Sequence, residues 1–139
     1  MTNTEQYVGV QVNSENYAIP ILKVHEIIRM QEITHVPNTR ACVLGVITLR
    51  GQTIPIISLR ERLGLPDAEY TKHTRIVIVT ERVGHMGVIV DRVHQVLSFE
   101  DIQPPPHQGK VAYLSGLGCK GDMLVSILDL EHLIEEGTK

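Results

Sequence analysis

The segment GLGCKG, residues 116 to 121, has the G-x-G-x-x-G spacing of a dinucleotide-binding loop. Such a site needs a strand, the glycine turn and then a helix, with an acidic residue about 20 positions further on. Here the strand-like run DMLVSILDL follows Gly121, and 18 residues complete the 139-residue sequence. We therefore interpret Gly121 as a hairpin glycine, and dinucleotide binding through 116–121 remains the weaker, enzymatic alternative.

Other residue types that carry chemistry are present, but their spacing does not form a known site. The seven histidines include no H-x-x-x-H or H-E-x-x-H pair, which a helical metal site would need. Cys42 and Cys119 are far apart and belong to no C-x-x-C motif. The sequence has no G-x-S-x-G elbow and no P-loop. We expect no catalytic residues, no metal and no cofactor.

The amino-acid composition argues against several classes of binding partner. The chain has 13 Lys and Arg against 16 Asp and Glu, and hydrophobic residues make up 42%. A nucleic-acid binder usually has a basic excess, and a single-strand binder also needs aromatic stacking platforms, whereas this chain has one Phe. No apolar run is long enough for a membrane span, and no signal peptide is recognisable. We expect a cytoplasmic protein that binds neither nucleic acid nor membrane directly.

Alternating apolar residues indicate a mainly β protein. YVGVQV places Val8, Val10 and Val12 on one strand face, and TIPIIS, RIVIVTE and HMGVIVDRV are further strand-length runs. A few short helices are predicted, one capped by Ser58 and another by Asp129, with a single helical turn after Ser98. Many short strands separated by turns favour a β-barrel or a sandwich.

The sequence also contains an internal repeat. YAIPILKVHEII (17–28) aligns with MGVIVDRVHQVL (86–97), 69 positions later, and Gly51 aligns with Gly121 at a spacing of 70. Fixed self-similarity is typical of a repeated structural unit. We predict two similar small barrels packed side by side.

The segment GVITLRGQTIPIISLRERLGL (45–65) resembles the chemotaxis coupling proteins of the CheW family, whose run reads close to G-V-x-N-L-R-G-x-x-x-P-x-x-D-L-R. YAIPILKVHEI, VPNTRACVLGV, GVIVDRVHQVL and the closing YLSGLGCKGDMLVSILDLEHLI are similar to other family segments, in the same order. Thr48 replaces the usual Asn, Ser58 the usual Asp and Arg40 the second proline. The resemblance covers essentially the whole chain.

The resemblance implies one domain, 1–139, with two SH3-like five-stranded β-barrel subdomains around a shared core. The expected subdomains are approximately 14–80 and 81–139, and the N-terminal strand 6–13 is expected to complete the second.

It also implies a non-catalytic adaptor that couples chemoreceptors (methyl-accepting chemotaxis proteins), at their cytoplasmic tips, to the regulatory domain of the chemotaxis histidine kinase CheA. The adaptor would be cytoplasmic and recruited to receptor arrays at the membrane. A coupling protein of a pilus-motility pathway, or the adaptor half of a coupling protein with a receiver domain, is the alternative.

Carried over by motif, the receptor-binding residues are Val24, Glu26 and Arg50. On an extended strand Val24 and Glu26 share a face, so with Arg50 they would offer an apolar contact flanked by opposite charges. The alternative is that Glu26 and Arg50 simply pair with each other at the surface.

Overall fold

A computed structural model describes residues 5–35, 43–82, 84–105 and 113–135. These residues form eleven β-strands, two short α-helices and one 3-10 turn, Ile21–Lys23. The strands are β1 (Tyr7–Val12), β2 (Glu15–Pro20), β3 (Val24–Arg29), β4 (Val43–Leu49), β5 (Gln52–Ser58), β6 (Arg75–Glu81), β7 (Gly84–Val90), β8 (Arg92–Leu97), β9 (Asp101–Gln103), β10 (Leu114–Lys120) and β11 (Met123–Leu128), and the helices are α1 (Leu59–Arg62) and α2 (Leu130–Glu135). Arg40 and Cys42 lie outside the described residues.

The strands form two sheets, which we call the first and second barrel. The first barrel has the order β3-β6-β7-β5-β4, and a bridge from Thr34 to Val46 joins the chain after β3 to β4. The second barrel has the order β8-β1-β2-β11-β10-β9. It therefore has six strands where five were expected, because β9 adds to the outer side of β10.

The repeat predicted from the sequence is visible in the strand register. Val8 lies opposite Val96 in the second barrel, just as Val77 lies opposite Ile27 in the first. In the β4–β5 and β10–β11 hairpins the spacing is 71: Leu49 pairs with Gln52, and Lys120 pairs with Met123. The structural counterpart of Arg50 is consequently Gly121, and the predicted alignment of Gly51 with Gly121 is wrong by one residue.

Each repeat gives its first hairpin to the other barrel. The β1–β2 hairpin lies in the second barrel, where β1 pairs with β8 and β2 pairs in parallel with β11. The β6–β7 hairpin lies in the first barrel, where β6 pairs with β3 and β7 pairs in parallel with β5. The expected boundary between residues 80 and 81 is therefore wrong: the first barrel runs from β3 to β7, and both β1 and β2 join the second.

Three apolar clusters fill this architecture. The central cluster lies between the barrels and includes Val8, Val10 and Val12, which share one face as predicted. The first barrel encloses an isoleucine cluster, and the second encloses a mixed cluster around Phe99. The isoleucine cluster consists of Ile47, Ile54, Ile56, Ile76, Ile78 and Ile89, and the mixed cluster of Tyr7, Ala18, Leu97, Phe99, Val125 and Ile127.

The glycines of the segment 116–121 allow a tight hairpin turn and the close packing of an aromatic ring. Gly121 has φ +59° in the turn between β10 and β11, as a hairpin glycine requires. A Cβ on Gly118 would lie 2.5 Å from the ring of Phe99, so only glycine leaves room for that ring. The segment is part of a β-hairpin, and no helix follows the turn.

Of the helical segments predicted at Ser58, Asp129 and Ser98, the first two are present. The Ser58 hydroxyl accepts a hydrogen bond from the Glu61 amide at 3.3 Å, and Asp129 accepts one from the His132 amide at 3.2 Å. The turn predicted after Ser98 is wrong, because Phe99 is buried in the second barrel and the chain continues into β9. The burial of one aromatic ring outweighs the local capping preference of the serine.

Candidate functional site

Arg50 occupies the tight turn between β4 and β5. Since Leu49 pairs with Gln52, the loop consists of Arg50 and Gly51 alone, with φ values of +50° and +80°. Positive φ at both loop residues is the type I′ hairpin geometry, which suits the twist of the flanking strands. The turn thus holds Arg50 at the tip of a hairpin, where its side chain is 69% exposed.

Glu26 lies in β3 beside a β-bulge. Val24 pairs with Val79 and Glu26 with Ile78, so His25 is an extra residue between two consecutive partners. Neighbouring residues of β6 point to opposite sides of the sheet, and Val24 and Glu26 therefore do so too. The prediction that they share a face is wrong, because strict alternation fails at the bulge.

The structure brings Glu26 and Arg50 together. The Arg50 guanidinium donates two hydrogen bonds to the carboxylate: Nη1 donates to Oε1, and Nη2 donates to Oε2 at 2.8 Å. The hydrogen bond from Arg50 lowers the pKa of Glu26, and the same contact raises the pKa of Arg50. Both groups therefore stay ionised near neutral pH, and the surface ion pair considered as an alternative is present.

Two histidines lie beside this ion pair. The rings of His25 and His85 stack with centroids 4.4 Å apart, and His25 Nε2 is 4.0 Å from Glu26 Oε1. His85 Nδ1 is 2.9 Å from the Thr80 hydroxyl. We call His25, Glu26, Arg50, Thr80 and His85 the charged mouth of the first barrel.

Val24 belongs to a different surface, between the two barrels. Val24 and its repeat counterpart Val93 are partly buried against the central cluster. Ile27 and its counterpart Val96 pair with Val77 and Val8 of that cluster, but they are 40% and 47% exposed. We call these four residues the apolar strip.

Sequence reasoning did not select Ile27 and Val96 as site residues. A signal was available, because the repeat aligns the two apolar residues with each other at positions that follow Val24 and Val93 by three residues. Their exposure could not be read from the sequence, because it depends on where the edge strands β3 and β8 extend past the central cluster.

The corresponding mouth of the second barrel has no ion pair at this place. Gln95 stands at the position of Glu26, and Gly121 stands at the position of Arg50. A pocket of about 300 Å³ opens there, lined in part by Asn16, His94, Gln95 and Met123. We call this pocket the neutral mouth.

Two other kinds of site are absent from the described ranges. Among those residues, no group of three or more His, Cys, Asp or Glu side chains is arranged to hold a metal ion. None of the helices in the same part of the chain has the length and hydrophobicity needed to cross a membrane.

The comparison with protein families is decisive. A family model described as the CheW-like domain matches residues 6–137. The chain belongs to this family. Like other CheW-like proteins it is a non-catalytic chemotaxis scaffold, and its two barrels correspond to the two SH3-like subdomains expected for the family.

Individual CheW proteins agree with this assignment. The chemotaxis protein CheW of Helicobacter pylori is 36% identical over 137 residues, which is 94% of this chain and 82% of that protein. The CheW protein of Klebsiella aerogenes is 33% identical over 135 residues, covering 94% and 81%. The crystal structure of the scaffolding protein TtCheW from Thermoanaerobacter tengcongensis has a TM-score of 0.89 at 33% identity and covers 100% of this chain and 97% of that one.

Proposed function

We propose that this CheW-like protein couples chemoreceptors to the regulatory domain of the chemotaxis histidine kinase CheA, from the cytoplasm, at receptor arrays. The observation that carries the proposal is the difference between the two repeats: Glu26 and Arg50 form an ion pair at the mouth of the first barrel, whereas an uncharged pocket lined in part by Gln95 and Met123 opens at the second. An adaptor needs at least two binding surfaces, and the two repeats offer chemically different ones.

The receptor side is assigned to the apolar strip together with Arg50. The resemblance to the CheW family implies a helical hairpin at the receptor tip, and an amphipathic helix binds by inserting apolar side chains into a groove. Ile27 and Val96 offer apolar area for such a contact. Two of the five N–H groups of Arg50 are directed at Glu26, which leaves donors for a carboxylate on the receptor. The charge would set the register of the helix, and apolar burial would supply most of the affinity.

The kinase side is assigned to the second barrel. Met123 and Leu124 of β11 are 48% and 58% exposed, and Met123 also lines the neutral mouth. An apolar surface suits a stable contact with a folded partner domain, because apolar burial requires no charge to be desolvated.

Isothermal titration calorimetry tests both assignments. The full chain would be titrated with a receptor hairpin tip and, separately, with the kinase regulatory domain. We expect binding to both, and we expect Arg50→Glu to weaken receptor binding by about tenfold or more, since a hydrogen bond to a charged group is lost and repulsion is added. Lys72→Glu, the same charge change at an exposed loop residue, is the matched control.

The kinase titration separates a local effect from misfolding. Arg50→Glu should bind the kinase domain as the unmodified chain does. Unchanged receptor affinity in a folded Arg50→Glu chain would remove Arg50 from the receptor site. Absence of binding to either partner would contradict the coupling function.

A further inference from the structure

The chain crosses from one barrel to the other at two equivalent places. After β2 it crosses through the 3-10 turn Ile21–Lys23, and after β7 it crosses at Asp91. The repeat places Leu22 at the position of Asp91, since Val24 and Val93 occupy equivalent register positions. The two crossovers can therefore be compared residue by residue.

The second crossover is held by a clamp. Arg60 of α1 donates to both carboxylate oxygens of Asp91, Nε to Oδ1 at 3.1 Å and Nη2 to Oδ2 at 2.6 Å. The backbone amide of Asn13 donates to Oδ2 at 2.9 Å. A bidentate, charge-assisted contact of this kind fixes the direction of the backbone at Asp91.

The first crossover lacks this clamp. Leu22 has no polar side-chain atom and is 88% exposed. Glu131 and Arg82 stand where the second crossover has Arg60 and Asn13, and they pair with each other at 2.8 Å. The turn is attached through the Ile21 amide, which donates to the Gln6 carbonyl at 3.0 Å, and through the Lys23–Glu81 ion pair at 2.9 Å.

The hairpin that precedes this crossover is indispensable to the second barrel. Its strands pair with β8 and β11, and its apolar side chains are buried. The buried residues are Tyr7, Val8, Val10, Val12, Tyr17, Ala18 and Ile19. All of these contacts join residues distant in sequence, so an identical hairpin from a second copy would satisfy them equally.

We propose that two copies of this chain exchange their β1–β2 hairpins, with Ile21–Lys23 as the hinge. Each second barrel is then completed by the hairpin of the other copy, and every contact except those at the hinge is preserved. Exchange of an identical element is a low-cost route to a dimer for this reason. The hinges of both copies lie together in such a dimer, which gives the exposed Leu22 side chains an apolar partner.

A disulfide placed across the exchanged register tests the proposal. In a full-length chain with Cys42 and Cys119 replaced by serine, Gln11→Cys and Arg92→Cys occupy register partners on β1 and β8. The protein would be refolded at high and low concentration, oxidised and separated by gel filtration. We expect a dimer fraction that grows with concentration, and disulfides that join two chains within it on a non-reducing gel.

Two outcomes would overturn the proposal. One is the absence of a dimer at any concentration, and the other is a dimer whose disulfides all lie within single chains. Each shows that the hairpin stays with its own chain.

A second variant tests the role of the missing clamp. Leu22→Asp, Arg82→Asn and Glu131→Arg together rebuild at the first crossover the residues of the second, and all three positions are exposed. We expect this triple variant to reduce the dimer fraction several-fold while remaining folded. An unchanged dimer fraction would mean that the hinge does not control exchange.

Discussion

The two barrels share a strand order and a repeated register, yet they differ in the side chains of their cores and of their mouths. Ile47 of the first barrel corresponds to Gly118 of the second, where the ring of Phe99 stands against the glycine. Glu26 and Arg50 form an ion pair at the first mouth, whereas Gln95 and Gly121 leave an open pocket at the second. The backbone is repeated in the two halves, but the side chains at equivalent positions have different roles.

Features shared by both halves belong to the fold, and features found in one half belong to a particular surface or core. Both halves keep the parallel pairing of the exchanged hairpin, the bulge in the edge strand and the capped helix. The charged mouth, the Asp91 clamp and Phe99 each occur in one half. We therefore expect a substitution at a feature found in one half to affect the stability or the binding of that half.

The largest effect is expected for Phe99→Ala, which tests the filling of the second barrel. Phe99 is buried and its ring centroid lies 5.1 Å from that of Tyr7. Truncation of a buried Phe should lower the free energy of unfolding by about 3–5 kcal/mol, measured by urea denaturation. Tyr70→Ala, at an aromatic residue that is 55% exposed, is the control and should cost less than about 0.5 kcal/mol. A small loss for Phe99→Ala would mean that the mixed cluster does not depend on this ring.

Gly118→Ala is expected to have the next largest effect. The added methyl group would meet the Phe99 ring at 2.5 Å, and overpacking of this kind costs about 1–3 kcal/mol. Combining it with Phe99→Leu should recover part of that loss, because the smaller side chain gives way. Ser115→Ala on the same strand is the control. If Gly118→Ala unfolds at the same urea concentration as the unmodified protein, the pairing of ring and glycine is not a packing constraint.

The smallest effect on the free energy of unfolding is expected for Asp91→Asn in the clamp, and this effect should depend on pH. Burial raises the pKa of Asp91, but hydrogen bonds from Arg60 and the Asn13 amide outweigh it, so the pKa lies below its usual value. The stabilisation is therefore present above about pH 4 and is lost as the pH falls through the folded-state value. Asp91→Asn should cost about 1 kcal/mol at pH 7, after allowance for solvent screening of a partly exposed carboxylate.

Urea denaturation of the unmodified protein and of Asp91→Asn between pH 7 and pH 2 measures the difference between their free energies of unfolding. The difference should shrink as the solution becomes acidic, and Asp122→Asn in the β10–β11 turn is the matched control, because the Asp122 side chain is not part of the clamp. A difference that stays constant with pH would show that Asp91 stabilises the crossover by a route other than its charge.

Much of the local structure was predictable because it depends on near neighbours in sequence. Ser58 and Asp129 cap helices, Gly121 occupies a hairpin turn, and Val8, Val10 and Val12 share a face. The bulge at His25 was not predictable, since it depends on how β3 meets β6, a strand about 50 residues away. That one residue reverses the side on which Val24 lies and divides the predicted site into a charged mouth and an apolar strip.

The class of fold, the repeat, the family and the similarity of the two halves could all be predicted from the amino-acid sequence, because periodicity, turn residues and motif spacing are local properties of the chain. Long-range packing sets which hairpin completes which barrel, where the boundary between the barrels falls, and the position of Phe99 in a core rather than in a helix. These outcomes depend on contacts between residues far apart in the chain. Several arrangements satisfy the same local preferences, and the burial of apolar side chains selects among them.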